Sequence, residues 1–463
     1  MDELDRTIQE RDKQAEYDAI PAITYPELQA IVQKWLLIID PGAVKLILAT
    51  IIANRIDSDP VWLFLLAPSG GGKTEIMNAL LKCPDYYSLS QLTPNTFLSG
   101  YKAGKNPDGS PREASLLKRL KRGTTIGLKD FTSILDGNKD AMKEIMGQFR
   151  EIYDGHMKKT TGTGDEIGWQ GKIGFIAGCT PILEQRISMI GAMGERFLNY
   201  KMKQPTRKLL REKMRSNIGK EGKMRDELQD AVAGYLKGVQ MPAELPAVPD
   251  EVDKIIESMT DFIAISRSVV MRGFDTKKEI EYIVEPEMSS RTYKQLYTIA
   301  LALIIMNGGT WEPEDSYILR KLAISSVHSI RYNLITRIMT YKTQVKTATL
   351  AMELGYPTST TRRYLEDLAA IGMDDGTVKI LSRTHQGKGK PDLWEITPAM
   401  KEILSTMGEE VEAVKEDTDL TADEEDIPVG AVASAEKVEI INDEEIESLT
   451  GDLSPEERAT LGI

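Results

Sequence analysis

Runs of apolar residues along the chain predict an α/β core. Val61–Leu66 is apolar at every position, which is typical of a parallel strand buried on both faces. Similar runs at Thr124–Leu128 and Ile173–Ala177 predict two further strands. A glycine-rich turn and a helical segment, Glu75–Leu81, follow the first strand directly, and Lys139–Tyr153 predicts a helix between the other two. We therefore predict a parallel sheet with helices between its strands.

Helical spacing of apolar residues predicts the segments on either side of this core. Tyr25–Asn54 predicts two helices, separated at Asp40-Pro41-Gly42, where proline and glycine interrupt the pattern. From Arg207 to about Met339 the spacing is again helical, which we interpret as an α-helical lid with an extension.

Residues 341–405 show a third arrangement. Two helices, Ala348–Leu354 and Ser359–Ile371, are separated by a Gly-Tyr-Pro turn. Two strands, Thr377–Arg383 and Asp392–Thr397, follow and are joined by the basic segment His385–Lys390. This order predicts a winged helix-turn-helix.

Charge separates the body of the chain from its end. The chain has 58 basic and 71 acidic residues, and residues 409–463 hold 3 of the basic and 19 of the acidic ones. Residues 1–408 therefore hold 55 basic and 52 acidic residues, a balance that does not exclude nucleic acid as a partner. High charge and few aromatic residues predict a disordered acidic tail over 406–463. It either keeps the protein in solution or docks to partner proteins.

Composition also limits the class of protein. The longest apolar stretches are shorter than the roughly 18 to 20 residues of a membrane span, and the charged N-terminal segment 1–24 resembles no signal peptide. We therefore expect a cytoplasmic protein without a membrane partner. Two cysteines and three histidines are too few and too scattered for a disulfide framework or a zinc site. The one metal that we expect is Mg²⁺ bound with a nucleotide.

A phosphate-binding loop follows the first predicted strand. It has alanine in place of the usual first glycine and consists of Ala67, Pro68, Ser69, Gly70, Gly71, Gly72, Lys73 and Thr74. The glycines allow backbone N–H groups to cradle phosphates, Lys73 reaches the β and γ phosphates, and the Thr74 hydroxyl binds Mg²⁺. A chance glycine-rich turn is the alternative, but the strand before the loop and the helix after it favour ATP binding.

Two polar residues follow the other predicted strands. Asp130 comes after Thr124–Leu128, where it would bind Mg²⁺ or polarise the attacking water. Its neighbours are Lys129 and Phe131 rather than a second acid, so the two roles stay open, as does a surface aspartate in a turn. Thr180 ends the strand that contains Ile173–Ala177 and is placed to contact the γ-phosphate or to orient water.

An arginine lies farther along, in the segment Gly194-Glu195-Arg196-Phe197. Ring-shaped ATPases project such an arginine into the neighbouring subunit's site, where it stabilises transition-state charge. The alternative for Arg196 is an ion pair within its own chain.

The order of P-loop, Asp130, Thr180 and Arg196 resembles the AAA+ ATPases, and its spacing is similar to the MCM-like and the phage or mobile-element replicative helicases. The resemblance covers about Tyr25 to Met339. It implies an AAA+ core over 25–204, a lid over 205–340 and a hexameric ring with ATP between subunits. It also implies a second sensor arginine at the start of a lid helix, for which we choose Arg291. Thr180-Pro181 replaces the family's Asn-Pro, and Lys129 departs from its acidic pair.

Two segments supply candidate DNA contacts. His156–Trp169 predicts a β-hairpin around a Thr-Gly-Thr-Gly turn, at the place where MCM-like ATPases carry a pore hairpin. Lys158 and Lys159 would then contact phosphates; a plain solvated hairpin is the alternative.

The predicted winged helix offers the second set of contacts, unless it packs only against protein. Arg362 and Arg363 face outward near the start of its second helix, and Lys388 and Lys390 lie in its basic wing.

These observations predict an ATP-dependent, ring-forming DNA motor, a replicative helicase or helicase-initiator of a phage or mobile element. Single-stranded DNA would lie in the pore and duplex DNA at the winged helix, and the acidic tail would dock replication proteins if it is a docking peptide. The alternatives are a DNA-bound regulatory ATPase that remodels a partner protein, and a helicase loader.

Overall fold

The computed structural model of the chain describes residues 14–100, 113–135, 137, 139–160, 164, 166–186, 196–273, 279–283, 288–372, 378–387 and 390–409. These residues form two compact units. Unit 1 comprises residues 14–247 and 298–315, and unit 2 comprises residues 248–297 and 316–409. Most of the acidic tail lies outside the described residues, so its disorder stays a prediction.

Unit 1 contains the predicted α/β core. Its strands are β1 (Trp62–Leu66), β2 (Tyr86–Leu89), β3 (Thr125–Leu128), β4 (His156–Thr160), β5 (Glu166–Gln170), β6 (Gly174–Cys179) and β7 (Leu198–Lys201). Its helices are α1 (Tyr25–Trp35), α2 (Pro41–Arg55), α3 (Lys73–Asn78), α4 (Leu116–Arg119), α5 (Thr132–Leu135), α6 (Lys139–Tyr153), α7 (Arg207–Asn217) and α8 (Glu221–Gly238).

Five strands form a parallel sheet in the order β2-β3-β6-β1-β7. The sheet confirms the predicted α/β class, and β1 is buried at every position, as its apolar sequence predicts. The apolar pattern does not reveal β2 and β7, because both strands are short and mix polar with apolar residues. In β7, for example, Tyr200 is buried whereas Asn199 and Lys201 are half-buried.

The connections of this sheet create a binding position at the ends of β1 and β6. The chain leaves β1 for β2 at one edge of the sheet, and it leaves β6, the neighbour of β1, for β7 at the other edge. In open α/β sheets, ligands bind outside the carboxyl ends of two such strands. The P-loop follows β1 and Thr180 follows β6, so both lie at this position.

An aromatic cluster forms the core on the α6 side of the sheet. Trp62 of β1 makes edge contacts with Phe149 of α6 and Phe175 of β6, at centroid distances of 5.5 and 4.8 Å. Phe64 stacks on Phe197 at 4.0 Å, which fixes the chain that enters β7 against β1. These rings bury large apolar areas and give the sheet a rigid face.

The break between α1 and α2 lies at Asp40-Pro41-Gly42, as the sequence predicts. Asp40 is 1% exposed and accepts hydrogen bonds from the Tyr200 hydroxyl, at 2.7 Å, and from the Lys203 N–H, at 2.9 Å. The break therefore also fixes the start of α2 against the end of β7.

Unit 2 is mainly helical. Its helices are α9 (Asp250–Arg267), the first part of α10 (Ser290–Met306), α11 (Ser316–Ser325), α12 (Ser329–Met339), α13 (Thr347–Leu354), α14 (Thr358–Ala370) and α15 (Pro398–Thr406). Its strands are β8 (Val270–Arg272), β9 (Ile280–Ile283), β10 (Val345–Lys346), β11 (Leu381–Thr384) and β12 (Leu393–Ile396). The range 205–340, predicted as one lid, is thus distributed over both units.

The predicted helix pair and strand pair near the C-terminus are present. Gly355, with a φ of 68°, ends α13, and α14 begins three residues later. Strands β10, β12 and β11 form an antiparallel sheet in that order. In the part of the chain that the structure describes, no helix is long and apolar enough to span a membrane.

Candidate functional site

The P-loop has the backbone geometry that a phosphate cradle requires. Gly70 and Gly72 have φ values of 81° and 82°, a region that other residues rarely adopt. The Gly71 N–H donates to the Pro68 carbonyl at 3.0 Å and closes the turn. Helix α3 begins at Lys73, directly after the glycines. The loop therefore fits a triphosphate, because its amides can face a bound anion at the start of a helix.

Lys73 is held inside the loop. Its side chain is 8% exposed, and its ammonium donates to the carbonyls of Ala67 and, at 2.9 Å, Pro68. Burial lowers the pKa of Lys73, whereas the nearby Cys179 and Asp130 raise it. Asp130 is therefore close enough for its charge to act on Lys73.

Close packing leaves little room for a side chain at Gly71. A Cβ atom at this position would lie 2.6 Å from Gln204 Oε1 and 3.0 Å from the Pro68 carbonyl oxygen, whose movement would reshape the loop. We expect Gly71→Ala to lower the free energy of unfolding by about 1–3 kcal/mol and to weaken nucleotide binding. Gly147→Ala in α6 is the matched control, because nothing lies within 4 Å of its Cβ position.

Urea unfolding and binding of a fluorescent nucleotide measure both variants. Gly147→Ala should be neutral or stabilising by up to about 1 kcal/mol, since alanine favours helix. Unchanged nucleotide affinity in folded Gly71→Ala would contradict the packing argument.

Asp130 lies at the end of β3 in a defined turn. Its Oδ1 accepts the Thr132 N–H at 2.9 Å, and the Ser133 hydroxyl donates to its backbone carbonyl at 3.0 Å. The carboxylate is otherwise exposed, and it precedes Phe131, which is fully buried with its ring 4.7 Å from that of Phe64. The position after Asp130 thus holds a core anchor, which explains why no second acid stands there.

Thr132 connects the ends of β3 and β6, and the sequence prediction missed it. Its Oγ1 accepts the Thr180 N–H at 3.2 Å and lies 3.3 Å from the Thr180 hydroxyl. The Phe131 N–H also donates to the Gly178 carbonyl at 2.8 Å. These contacts hold Asp130 and Thr180 side by side. The signal available in the sequence is a hydroxyl residue two positions after the strand-end acid.

Thr74 and Asp130 are the side chains that fit a magnesium ion bound with a nucleotide. Both are exposed, and hydroxyl and carboxylate oxygens are the ligands that Mg²⁺ prefers. Among the described residues, no group of three or more His, Cys, Asp or Glu side chains could hold a metal by itself. A metal here would accordingly take its remaining ligands from phosphate and water.

Arg196 lies in an ion pair within its own unit. Its side chain is 8% exposed, and Nη2 donates to both carboxylate oxygens of Asp154, at 3.0 and 3.2 Å. The guanidinium carbon is also 5.5 Å from the centre of the Tyr153 ring. The ion pair is the alternative given above for Arg196. Its role toward a neighbouring subunit stays a prediction. Arg291 is half-buried at the start of α10 in unit 2, whereas the P-loop is in unit 1.

Strands β4 and β5 form the predicted hairpin, with Lys158 opposite Gly168. Adjacent strand residues point to opposite faces, so the two lysines differ. Lys158 is exposed. Lys159 donates to Asn95 Oδ1 at 2.9 Å and lies 3.4 Å from Glu144 Oε1. The hairpin thus presents one of its two predicted DNA-binding lysines to solvent.

The predicted DNA-binding residues near the C-terminus lie on α14 and beside the antiparallel sheet. Arg362 and Arg363 are half-exposed, Lys390 is exposed, and Lys388 lies outside the described residues. Arg272 of β8 holds α14 from the side: it pairs with Asp367 at 2.7 Å and Glu366 at 3.1 Å, and it donates to the Arg363 carbonyl. Both acidic residues of α14, Glu366 and Asp367, are therefore paired with Arg272.

The geometry places a buried lysine, two exposed oxygen-bearing side chains and a hydroxyl pair at the carboxyl ends of three neighbouring strands. This set can bind a triphosphate and position water near it. No family model matches the chain, and no curated protein matches it.

Proposed function

We propose that the chain is an ATP-dependent DNA motor that acts as a ring of subunits, a replicative helicase or helicase-initiator of a phage or mobile element. The observation that carries the proposal is the convergence of Lys73, Asp130, Thr132 and Thr180 at the ends of β1, β3 and β6. A Mg²⁺ ion bound with ATP would neutralise charge that develops on the transferred phosphate.

The residues of the chain have separate tasks in this proposal. Lys73 leaves its loop carbonyls for the β and γ phosphates, and the glycine amides orient the triphosphate. Asp130 holds metal-bound or attacking water, kept in place by the Thr132 N–H. The Thr180 hydroxyl, beside Thr132, lies where it can contact the γ-phosphate or the water.

Two observations support DNA as the polymer along which the motor moves. The helix pair α13–α14, with the antiparallel sheet that follows, has the order of a winged helix-turn-helix. Exposed Lys158 on the hairpin and exposed Lys390 in the wing could contact phosphates without regard to sequence.

Strand displacement by the purified protein tests the proposal. We expect ATP-dependent separation of a forked DNA duplex and faster ATP turnover with single-stranded DNA. DNA-stimulated turnover without separation would favour the alternative, a DNA-bound regulatory ATPase or helicase loader. The contacts of Lys159 with Asn95 and Glu144 favour this alternative, because they leave the hairpin a single exposed lysine.

Arg196 offers a test of the ring. If it acts across a subunit interface, mixing inactive Arg196→Ala with inactive Lys73→Ala subunits should restore part of the ATP turnover, because some interfaces then join an intact Lys73 to an intact Arg196. Asp154→Ala is the matched control. It removes the same ion pair and should cost about 1–2 kcal/mol of stability, yet it should keep turnover. Absence of recovery on mixing would assign Arg196 to its own subunit alone.

A further inference from the structure

Helix α7 covers the surface of unit 1 without entering its core. None of its residues is buried. Its inner side is attached by polar contacts: Lys213 donates to the Gln33 carbonyl at 2.9 Å, and Asn217 donates to the Trp35 carbonyl at 2.7 Å. The outer side of the helix is therefore available to a partner.

Positive charge is concentrated on that outer side. Arg207, Arg211 and Arg215 are spaced four residues apart, so they lie along one face of the helix, and Lys208 lies beside them. All four are exposed, and none of the four forms an ion pair with a described residue. Glu212 is the single acidic residue of the helix. We call this surface the α7 basic face.

Two large apolar side chains extend the α7 basic face. Met214 is 61% exposed and Ile218, directly after the helix, is 72% exposed. Helical spacing puts both on the side of Arg207 and Arg211. A phosphate backbone offers nothing apolar to Met214 and Ile218. The combination of cations with apolar groups instead suits a peptide that alternates acidic and apolar residues.

We propose that the α7 basic face binds the segment Val438–Leu449 of the chain's own acidic tail. This segment holds five acidic residues and no basic one, interleaved with Val438, Ile440, Ile441, Ile446 and Leu449. The segment therefore complements the α7 basic face both in charge and in apolar side chains.

The chain before this segment is a long tether. The 28 residues between Glu409 and Val438 span up to about 95 Å when extended and about 30 Å as a flexible coil. Tethering at this length gives an effective concentration of about a millimolar, so even a weak contact is populated.

The full-length chain tests this binding with a label on the tail. Both native cysteines are buried, so Ser448→Cys supplies the reactive site for a fluorophore. We expect high fluorescence anisotropy at about 50 mM salt and a fall to the value of a freely moving tail at about 0.5 M, where screening weakens contacts between exposed charges. Arg207→Glu with Arg211→Glu and Arg215→Glu should cause the same fall at low salt.

Two further variants complete the test. Lys121→Glu with Lys143→Glu and Arg150→Glu makes the same change of net charge at exposed positions elsewhere, and it should leave the anisotropy high. Met214→Ser with Ile218→Ser keeps all charges and should lower the anisotropy in part. If the charge-reversal variant fails to fold, this pair of substitutions still tests the proposal.

Three results would overturn the proposal. The tail label would move freely at low salt in the otherwise unaltered chain, or the charge-reversal and control variants would lower its anisotropy equally. The third is an unchanged tail signal together with weaker binding of single-stranded oligothymidylate to the charge-reversal variant, which would make α7 a nucleic-acid surface.

Discussion

Lys73→Ala is expected to reduce ATP turnover by about 10²–10³-fold, the scale of losing one oriented charge at a transferring group. The ammonium is buried in the loop and donates to two carbonyls of that loop, so it lies beside the backbone that would hold the phosphates. The variant also loses the contact that Lys73 would make with the β and γ phosphates, which should weaken nucleotide binding.

A colorimetric phosphate assay and a nucleotide-binding titration measure the two effects. Lys82→Ala is the matched control, because Lys82 lies nine positions farther along and pairs with Asp230 at 2.6 Å, away from the loop. It should retain turnover. Turnover within about tenfold of the unaltered protein in folded Lys73→Ala would remove the P-loop from the account of hydrolysis.

Asp130→Asn is expected to lower ATP turnover by about 10²-fold or more while nucleotide binding is largely kept. The substitution separates a role in hydrolysis from the alternative, an aspartate that serves the turn alone. Asparagine accepts a backbone hydrogen bond in such a turn as well as aspartate does, so the contact with the Thr132 N–H should survive. Only the charge that would bind metal or polarise water is lost.

Asp130→Asn should therefore lose ATP turnover but keep a melting temperature close to that of the unaltered chain. Thr132→Val is the companion variant: it keeps the backbone N–H but removes the hydroxyl beside Thr180, and we expect a smaller loss of turnover. Full activity in Asp130→Asn would mean that Asp130 serves the turn alone.

The sequence predicts those parts of the fold that rest on uniform patterns. The all-apolar β1 and the break at Asp40-Pro41-Gly42 are found as predicted, and Lys139–Tyr153 is helical from end to end. Strands β2 and β7 escape prediction because tertiary pairing, rather than their own composition, makes them strands.

In the candidate site, too, the sequence predicts the residues of a fixed motif but not those that depend on tertiary contacts. Glycine and lysine at fixed spacing predict the P-loop, because the conformation of this loop is determined by residues that are adjacent in sequence. Thr132 is not predicted, since its importance lies in a contact with Thr180, 48 positions away. The difference between Lys158 and Lys159 depends in the same way on Asn95 and Glu144, which meet the hairpin only after folding.

Particle images of the purified chain with ATP and single-stranded DNA test the central claim most directly. A DNA motor of the proposed kind should form a closed ring, with one strand through its centre and nucleotide density at Lys73 between adjacent subunits. Samples without nucleotide should show fewer closed rings. Separate subunits, or rings with the DNA bound only on their outer surface, would contradict the account.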